Sequence, residues 1–402
     1  MFRRKRATDA GAGAAGPGAA GSDSASAKES SRPYTQRKPA NTAWRQQRLK
    51  AWQPVLTPRT VLPTFFLVGL LFAPIGAVLY YYATKVSEFT IDYTDCRNAG
   101  SEYVAVPSGK YDYQLPGSTP SNFQAPQWRW VASNTAPNGF VCDVQFSVPQ
   151  NLEPSVFLYY KLTNYYQNHR RYVKSIDTDQ LLGKERTVKD LGDGQCKPLG
   201  REGDRGIWPC GLIANSMFND TYSLPVLVDG GASNQTYQMT DKGIVWPGEK
   251  NKYAATPTPP DQLVPPPFWR GSFTNAPGAY NYPNGYTADN IFNPSEDEHF
   301  MVWMRTAGLP TFRKLYYRND NDVMLAGRYI ITITDNYPVA MFSGTKSIVF
   351  STATWVGGRS LFLGSAYIAV AALCVLLGLI FTARHLIRPR KLGDLSLLSW
   401  NE

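Results

Sequence analysis

Val61 to Tyr82 (VLPTFFLVGLLFAPIGAVLYYY) and Leu361 to Thr382 (LFLGSAYIAVAALCVLLGLIFT) are two runs of 22 residues, and neither contains Asp, Glu, Lys, Arg or His. At about 1.5 Å of rise per residue, each is long enough for a helix that crosses a hydrocarbon core of about 30 Å. They predict an integral membrane protein with two transmembrane helices. The first run begins sixty residues from Met1 and is longer than the apolar core of a signal peptide, so it reads as an uncleaved signal anchor.

Two spans put both termini on one side, and the Lys and Arg flanks choose the side. Arg48, Lys50 and Arg59 precede the first span, and Arg384, Arg388, Arg390 and Lys391 follow the second. The inner flanks hold Lys85, Arg97, Lys346 and Arg359. Both tails are therefore expected in the cytosol, with residues 83–360 lumenal or extracellular. Of the 41 Lys and Arg and 31 Asp and Glu, residues 1–60 carry 12 and 3, residues 383–402 carry 4 and 2, and the middle carries 25 and 26. The net charge of +10 is thus a property of the tails. It points to anionic lipid or an acidic partner, each near-surface Lys or Arg contributing about 1 kcal/mol. It argues against nucleic acid, because the large domain is neutral.

The expected order is a cytosolic tail 1–60, a span 61–82, an ectodomain 83–360, a span 361–382 and a cytosolic tail 383–402. Residues 1–38, rich in Ala, Gly and Ser, bury too little apolar surface to offset ordering entropy and are expected to be disordered. Residues 39–60 interleave Trp44, Leu49, Trp52 and Val55 with Arg45, Arg48 and Lys50, which suits a basic amphipathic approach to a membrane or a docking segment. In the second span Ser365, Ala369, Cys374 and Gly378 form two pairs of small residues four apart, which permit close helix approach. They suit either a partner helix or the first span.

The middle reads as a mainly β ectodomain, an antiparallel β-sandwich with long loop insertions. Segments 141–148, 155–162, 299–306, 311–318, 327–334 and 346–355 alternate or run apolar and are rich in Val, Ile, Thr and aromatic residues. Residues 163–182 are the best helical candidate, with Asn164 as a possible cap. Residues 183–295, rich in Gly, Pro, Asn and Asp, read as surface-wrapping loops with short elements.

Cys96, Cys142, Cys196 and Cys210 fall in this domain and Cys374 in the second span. Four cysteines in an oxidising compartment favour two disulfides, with three possible connectivities. The preferred one is Cys96 with Cys142 and Cys196 with Cys210, the latter closing a short loop through Gly203, Gly206 and Pro209. Asn219-Asp220-Thr221 and Asn234-Gln235-Thr236 are glycosylation sequons, whereas Asn293-Pro294-Ser295 is excluded by its proline. No nucleophile motif, paired-histidine metal spacing or Walker loop occurs, so no catalytic residue, metal or cofactor is assigned. Glu296, Asp297 and Glu298 read as a solvated acidic loop rather than a glycosidase pair. Lys189 to Gly194 and Asn319 to Asp322 read as turns rather than calcium loops. The spans carry no ionisable group of the kind an ion pathway needs.

Longer strings are distinctive. NTAWRQQRLKAWQPVLTPRTVLPTFFLVG (41–69), YYKLTNYYQNHRRYVKS (159–175), WPCGLIANSMFNDT (208–221), VWMRTAGLPTFRKLYYR (302–318) and DNYPVAMFSGTKSIVFSTATWVGG (335–358) resemble the cell-cycle-control-protein-fifty, or ligand-effect-modulator, family. The resemblance runs from about Asn41 to about Gly364. Members are non-catalytic β-subunits of type IV P-type ATPases, the phospholipid flippases. It implies a chain that escorts the catalytic subunit from the endoplasmic reticulum towards Golgi, endosome or plasma membrane and supports its cycle. Four lumenal cysteines are closer to the fungal pattern than to the animal one. The Cys196 to Cys210 loop and Asn219 fall on matching family segments, and Asn234 lies outside them. Contact with the partner is then expected through the ectodomain, through Ser365, Ala369, Cys374 and Gly378, and through Trp44, Arg45, Arg48, Lys50 and Trp52. The other readings are a two-span ligand-gated or sodium-channel-like subunit, opposed by polar-poor spans, and a membrane-anchored lumenal hydrolase, opposed by the missing catalytic motifs.

Overall fold

The computed structural model describes residues 41–49, 56–117, 123–134, 136, 139–228, 235–270 and 280–389. Residues 41–49 form a turn over 43–47 and belong to a unit separate from the rest of the chain. The apolar runs extend into two long helices, α1 (Pro58–Lys85) and, at the other end, α8 (Leu361–Ile387). Pro58 stands in the first turn of α1, where its missing N–H costs nothing. Pro63 and Pro74 lie inside the helix without ending it.

After α1 the chain lays down β1 (Glu88–Asp92), β2 (Val104–Ala105), β3 (Tyr111–Gln114), β4 (Gln127–Ala132), β5 (Phe140–Val148) and β6 (Val156–Leu162). Short helices α2 (Arg170–Lys174), α3 (Thr178–Leu181) and α4 (Val188–Asp193) follow, then β7 (Arg201–Glu202), β8 (Arg205–Ile207) and α5 (Leu212–Asn215). Next come β9 (Thr221–Tyr222), β10 (Val226–Leu227), β11 (Gln235–Thr236), α6 (Pro247–Lys250) and β12 (Leu263–Val264). The last stretch before α8 is α7 (Glu298–Met304), β13 (Phe312–Asn319), β14 (Gly327–Thr334) and β15 (Lys346–Thr352).

Two antiparallel sheets make the sandwich. One runs β13-β6-β15-β1-β3; the other runs β11-β10-β14-β5-β4-β2, with β9 also on β14. A small third sheet, β12-β8-β7, includes a parallel pair, β12 with β8. The sheets meet through aromatic rings: Phe89 and Phe350 from the first pack on Phe146 from the second at 5.5 and 5.1 Å between centroids, and Phe146 stacks on Tyr329. Early and late strands do come together across the long insertion, as the sequence requires.

Two expectations fail. Segment 299–306 is helix α7, not a strand: Phe300, Met301, Trp303 and Met304 are buried together at helical spacing, and Asp297 caps the helix by accepting the Phe300 N–H at 2.8 Å. Residues 163–182 form only α2 and α3. Asn164 has φ +56°, and its side chain donates to the Phe342 carbonyl instead of capping a helix. The insertion is also more than a surface wrap. Trp208 and Trp269 are wholly buried, and their indole N–H groups donate to the Phe292 and Ala214 carbonyls. Trp303 of α7 donates likewise to Ile213. A buried indole needs such an acceptor; the first two bonds hold the insertion together from within, and the third fastens it to α7.

The domain is locked directly to the spans. β1 begins three residues after α1, Ser87 and Thr352 exchange backbone and hydroxyl hydrogen bonds, and Arg359 donates to the Val86 carbonyl at 3.1 Å. Tyr82, near the end of α1, meets Trp355 edge to face.

Candidate functional site

A buried ion cluster joins the ends of β1, β9, β14 and β15. Lys346, the first residue of β15, places Nζ 2.8 Å from Asp220 Oδ2, also pairs with Asp335 and donates to the Tyr337 carbonyl. Asp220 further accepts from the Tyr93 hydroxyl at 2.7 Å and from the Asn336 and Tyr337 N–H groups at 2.6 Å each. Burial disfavours the ammonium of Lys346, but Asp220 and Asp335 outweigh it and raise its pKa. Sequence reasoning missed this cluster. The available signal was Lys346 opening an otherwise uncharged strand, and Asp220 inside a sequon where only the flanking residues drew notice.

The cysteines pair as Cys96–Cys142 and Cys196–Cys210, across 46 and 14 residues, and Cys374 is free. Asn219 is half-buried between buried Phe218 and Asp220, and Thr221 pairs with Thr334 in the β9–β14 ladder. Asn234 lies outside the described residues.

The acidic run departs from the solvated loop expected of it. Only Glu296 is exposed. Asp297 caps α7, and Glu298 is buried, accepting from Lys250 at 2.6 Å and from the Ile244 and Val245 N–H groups. Burial raises the pKa of Glu298, but Lys250 and these backbone donors prevail and hold it below the ordinary carboxylate value. Beside it, His299 stacks on Tyr316, and burial lowers its pKa. At the other end of α7, Lys314 donates to the carbonyls of Val302, Trp303 and Arg305, and burial pushes its pKa down to about 7. The side chains that looked most like chemistry are thus engaged in holding α7. Lys189 to Asp193 lie in α4 rather than a turn, whereas Asn319 to Asp322 form the expected turn, with Asn319 Oδ1 accepting two backbone N–H groups. Among the described residues no group of three His, Cys, Asp or Glu side chains is arranged to hold a metal.

In the spans, Gly69, Gly76 and Ala83 of α1 and Gly364, Ala371 and Gly378 of α8 are the buried positions, each set spaced by seven. A Cβ on Gly76 would sit 2.8 Å from Ile368, and one on Gly364 would sit 2.7 Å from Tyr80. Gly378 therefore belongs to the α1 interface, where Phe66 covers it, with Cys374 one turn before it on the same side, whereas Ser365 and Ala369 lie on the other side of α8. Ser365 and Ala369 are exposed and Cys374 is half-exposed. In the separate unit 41–49, Trp44 is 75% exposed. Arg45 and Arg48 are also exposed, Arg48 bonding the Asn41 side chain. Lys50 and Trp52 lie outside the described residues.

A disulfide-bonded β-sandwich carried on a close pair of apolar helices defines a two-span membrane protein. Residues 79–391 match the LEM3 (ligand-effect modulator 3) family / CDC50 family, and the chain belongs to that family. It is 40% identical to phospholipid-transporting ATPase accessory subunit CRF1 of Saccharomyces cerevisiae, over 90% of this chain and 89% of that one. Accessory subunit CDC50 of Chaetomium thermophilum is 38% identical over 91% of each chain. Cell cycle control protein 50A of Bos taurus is 42% identical over 86% of this chain and 88% of its own.

Proposed function

We propose that this chain is a non-catalytic accessory subunit of a phospholipid-transporting P-type ATPase, acting in the folding, endoplasmic reticulum exit and transport cycle of its catalytic partner. The observation that carries the reading is similarity to named accessory subunits over about nine-tenths of the chain. A subunit without chemistry of its own changes an ATPase only by binding its conformations unequally. The fastening of β1 and β15 to the ends of α1 and α8 suits that role, because a rigid domain held by one partner surface transmits its position to both helices.

The basic flanks support cytosolic tails and a lumenal domain, and the sequons support Asn219 and Asn234 as glycosylation sites, on a route from the endoplasmic reticulum to Golgi, endosome or plasma membrane. The reading keeps the domain order expected from sequence, 1–60, 61–82, 83–360, 361–382 and 383–402. Ser365, Ala369 and Cys374 remain available to a partner helix, and Trp44, Arg45, Arg48, Lys50 and Trp52 to the partner's cytosolic side or to anionic lipid.

Purification from native membranes tests the reading. A P-type ATPase should co-elute, and the isolated chain should neither hydrolyse ATP nor move lipid. Changing Arg45, Arg48 and Lys50 to Ala slows turnover of the complex in neutral detergent if the segment touches protein, and only in anionic bilayers if it touches lipid.

A further inference from the structure

A cleft of ≈ 300 Å³ opens between α6, the end of α7 and the start of β13. Its floor is apolar, with Val245, Val302 and Leu315, and Tyr159 and Trp246 stand on its walls. Trp246 is 67% exposed, an indole left to solvent at the rim of a pocket. The Arg305 guanidinium lies 4.0 Å over that indole, and the Arg313 guanidinium 4.9 Å over Tyr159. Lys314 also lines the cleft, its ammonium held by carbonyls and, among the described residues, paired with no carboxylate.

Charge is in excess there. Glu249 answers Arg305 at 3.3 Å and Lys252 at 3.8 Å, and Glu88 answers Arg313 at 2.6 Å. Arg305 and Arg313, with Lys252 just outside the cleft, thus meet two carboxylates, and Lys314 adds to the excess where it is protonated. The guanidinium planes stay half-open to solvent with unused N–H donors, which suits phosphate or carboxylate oxygens.

The position of Arg313 narrows the ligand. Glu88 lies three residues beyond α1 and Gly358 three residues before α8, and a Cβ on Gly358 would come within 3.3 Å of Arg313 Nη2. Three extended residues reach at most about 10 Å. The cationic mouth therefore stands at the roots of both membrane helices, beside the lipid surface, where Trp and Tyr rings favour the headgroup level.

We propose that this cleft seats the headgroup of an anionic phospholipid from the leaflet facing the domain. The phosphate sits on Arg313, and the headgroup extends between Tyr159 and Trp246 towards Arg305. The inference needs only that the spans lie in a bilayer; it holds whether or not the chain is an ATPase subunit.

The test uses the full chain in nanodiscs of equal phosphatidylcholine and phosphatidylserine, released into mild detergent for native mass spectrometry. Wild type should retain phosphatidylserine over phosphatidylcholine. Arg313→Gln and Trp246→Ala should each lower retention by about tenfold, the scale of one lost charge-assisted contact. Trp246→Phe should restore part of it, and all variants should keep the wild-type melting curve, since both side chains are exposed. Glycerophosphoserine should displace the lipid and inorganic phosphate should not. Equal retention by wild type and both variants overturns the proposal. Equal displacement by inorganic phosphate overturns it in favour of a simple anion site. No lipid preference, with both variants losing a co-purifying protein, overturns it in favour of an acidic protein loop.

Discussion

Lys346 Nζ lies 2.8 Å from Asp220 Oδ2 at one end of the β-sandwich, and neither side chain has appreciable contact with water. The pair joins the start of β15 to the residue before β9, and through Tyr93 it reaches the end of β1, so one cluster ties both sheets to the insertion. Such a pair need not stabilise more than apolar packing, but breaking it leaves a charge buried alone.

Asp220→Asn should therefore cost about 3–5 kcal/mol in thermal or urea unfolding of the purified chain. The substitution leaves Asn219 and Thr221 in place, so a glycosylation defect and a folding defect separate on one gel. Asp220→Leu combined with Lys346→Met should recover only part of the loss, because the Tyr93 hydroxyl and the Asn336 and Tyr337 N–H groups lose their acceptor. If Asp220→Asn unfolds like wild type, the cluster carries no structural weight.

Replacing Cys210 by Ser opens a loop spanning 14 residues, and replacing Cys96 opens one spanning 46. Chain entropy then sets the costs at about 3 and about 4 kcal/mol. Urea titration of the two variants should rank Cys96→Ser as the more damaging. The opposite order would mean that strain or residual structure outweighs loop length.

His299 supplies a pH dependence. An unfolded histidine protonates near 6.5, whereas burial against Tyr316 keeps the folded one neutral to lower pH, despite Asp297, Asp241 and Glu298 nearby and with Lys242 opposing them. Between those two pKa values the unfolded chain binds more protons, so stability falls as pH falls below 6.5. Melting temperatures measured from neutral to mildly acidic pH should decline in wild type and decline less in His299→Phe. Equal slopes would remove His299 from the account.

How far the fold was legible depended on whether pattern and environment agreed. The spans were plain as unbroken apolar runs without charge, and the strands of Val144, Leu158, Ile331 and Ile348 because apolar period and burial coincide there. Helix α7 was misread since its run of Val, Trp, Met and Phe resembles a strand until the i, i+1, i+3, i+4 spacing from Phe300 is counted with the cap at Asp297. β1, β3 and β4 are short or rich in charged and aromatic residues, and only their partners make them strands. Of the site, the cysteines and Asn219 could be found by local motif. Asp220, Lys346 and the Arg305–Trp246 cleft could not, because each is assembled across scores of residues by the insertion.

The membrane pair offers the last test, since one set of small residues is used within the chain and another is left open. Gly76→Leu must push a side chain into Ile368, and Gly378→Leu into Phe66, so both should separate α1 from α8. Ser365→Leu and Ala369→Leu add bulk only on the exposed side of α8. Cysteine crosslinking between the spans, in a background with Cys374 replaced, should fall in the glycine variants and persist in the other two. Co-purification of the catalytic partner should fail in all four if the open side is its docking face. Leucine at Ser365 and Ala369 that leaves both crosslink and partner intact would move the intramembrane contact elsewhere, most directly to the outward side of α1, where Leu70 and Leu71 are exposed.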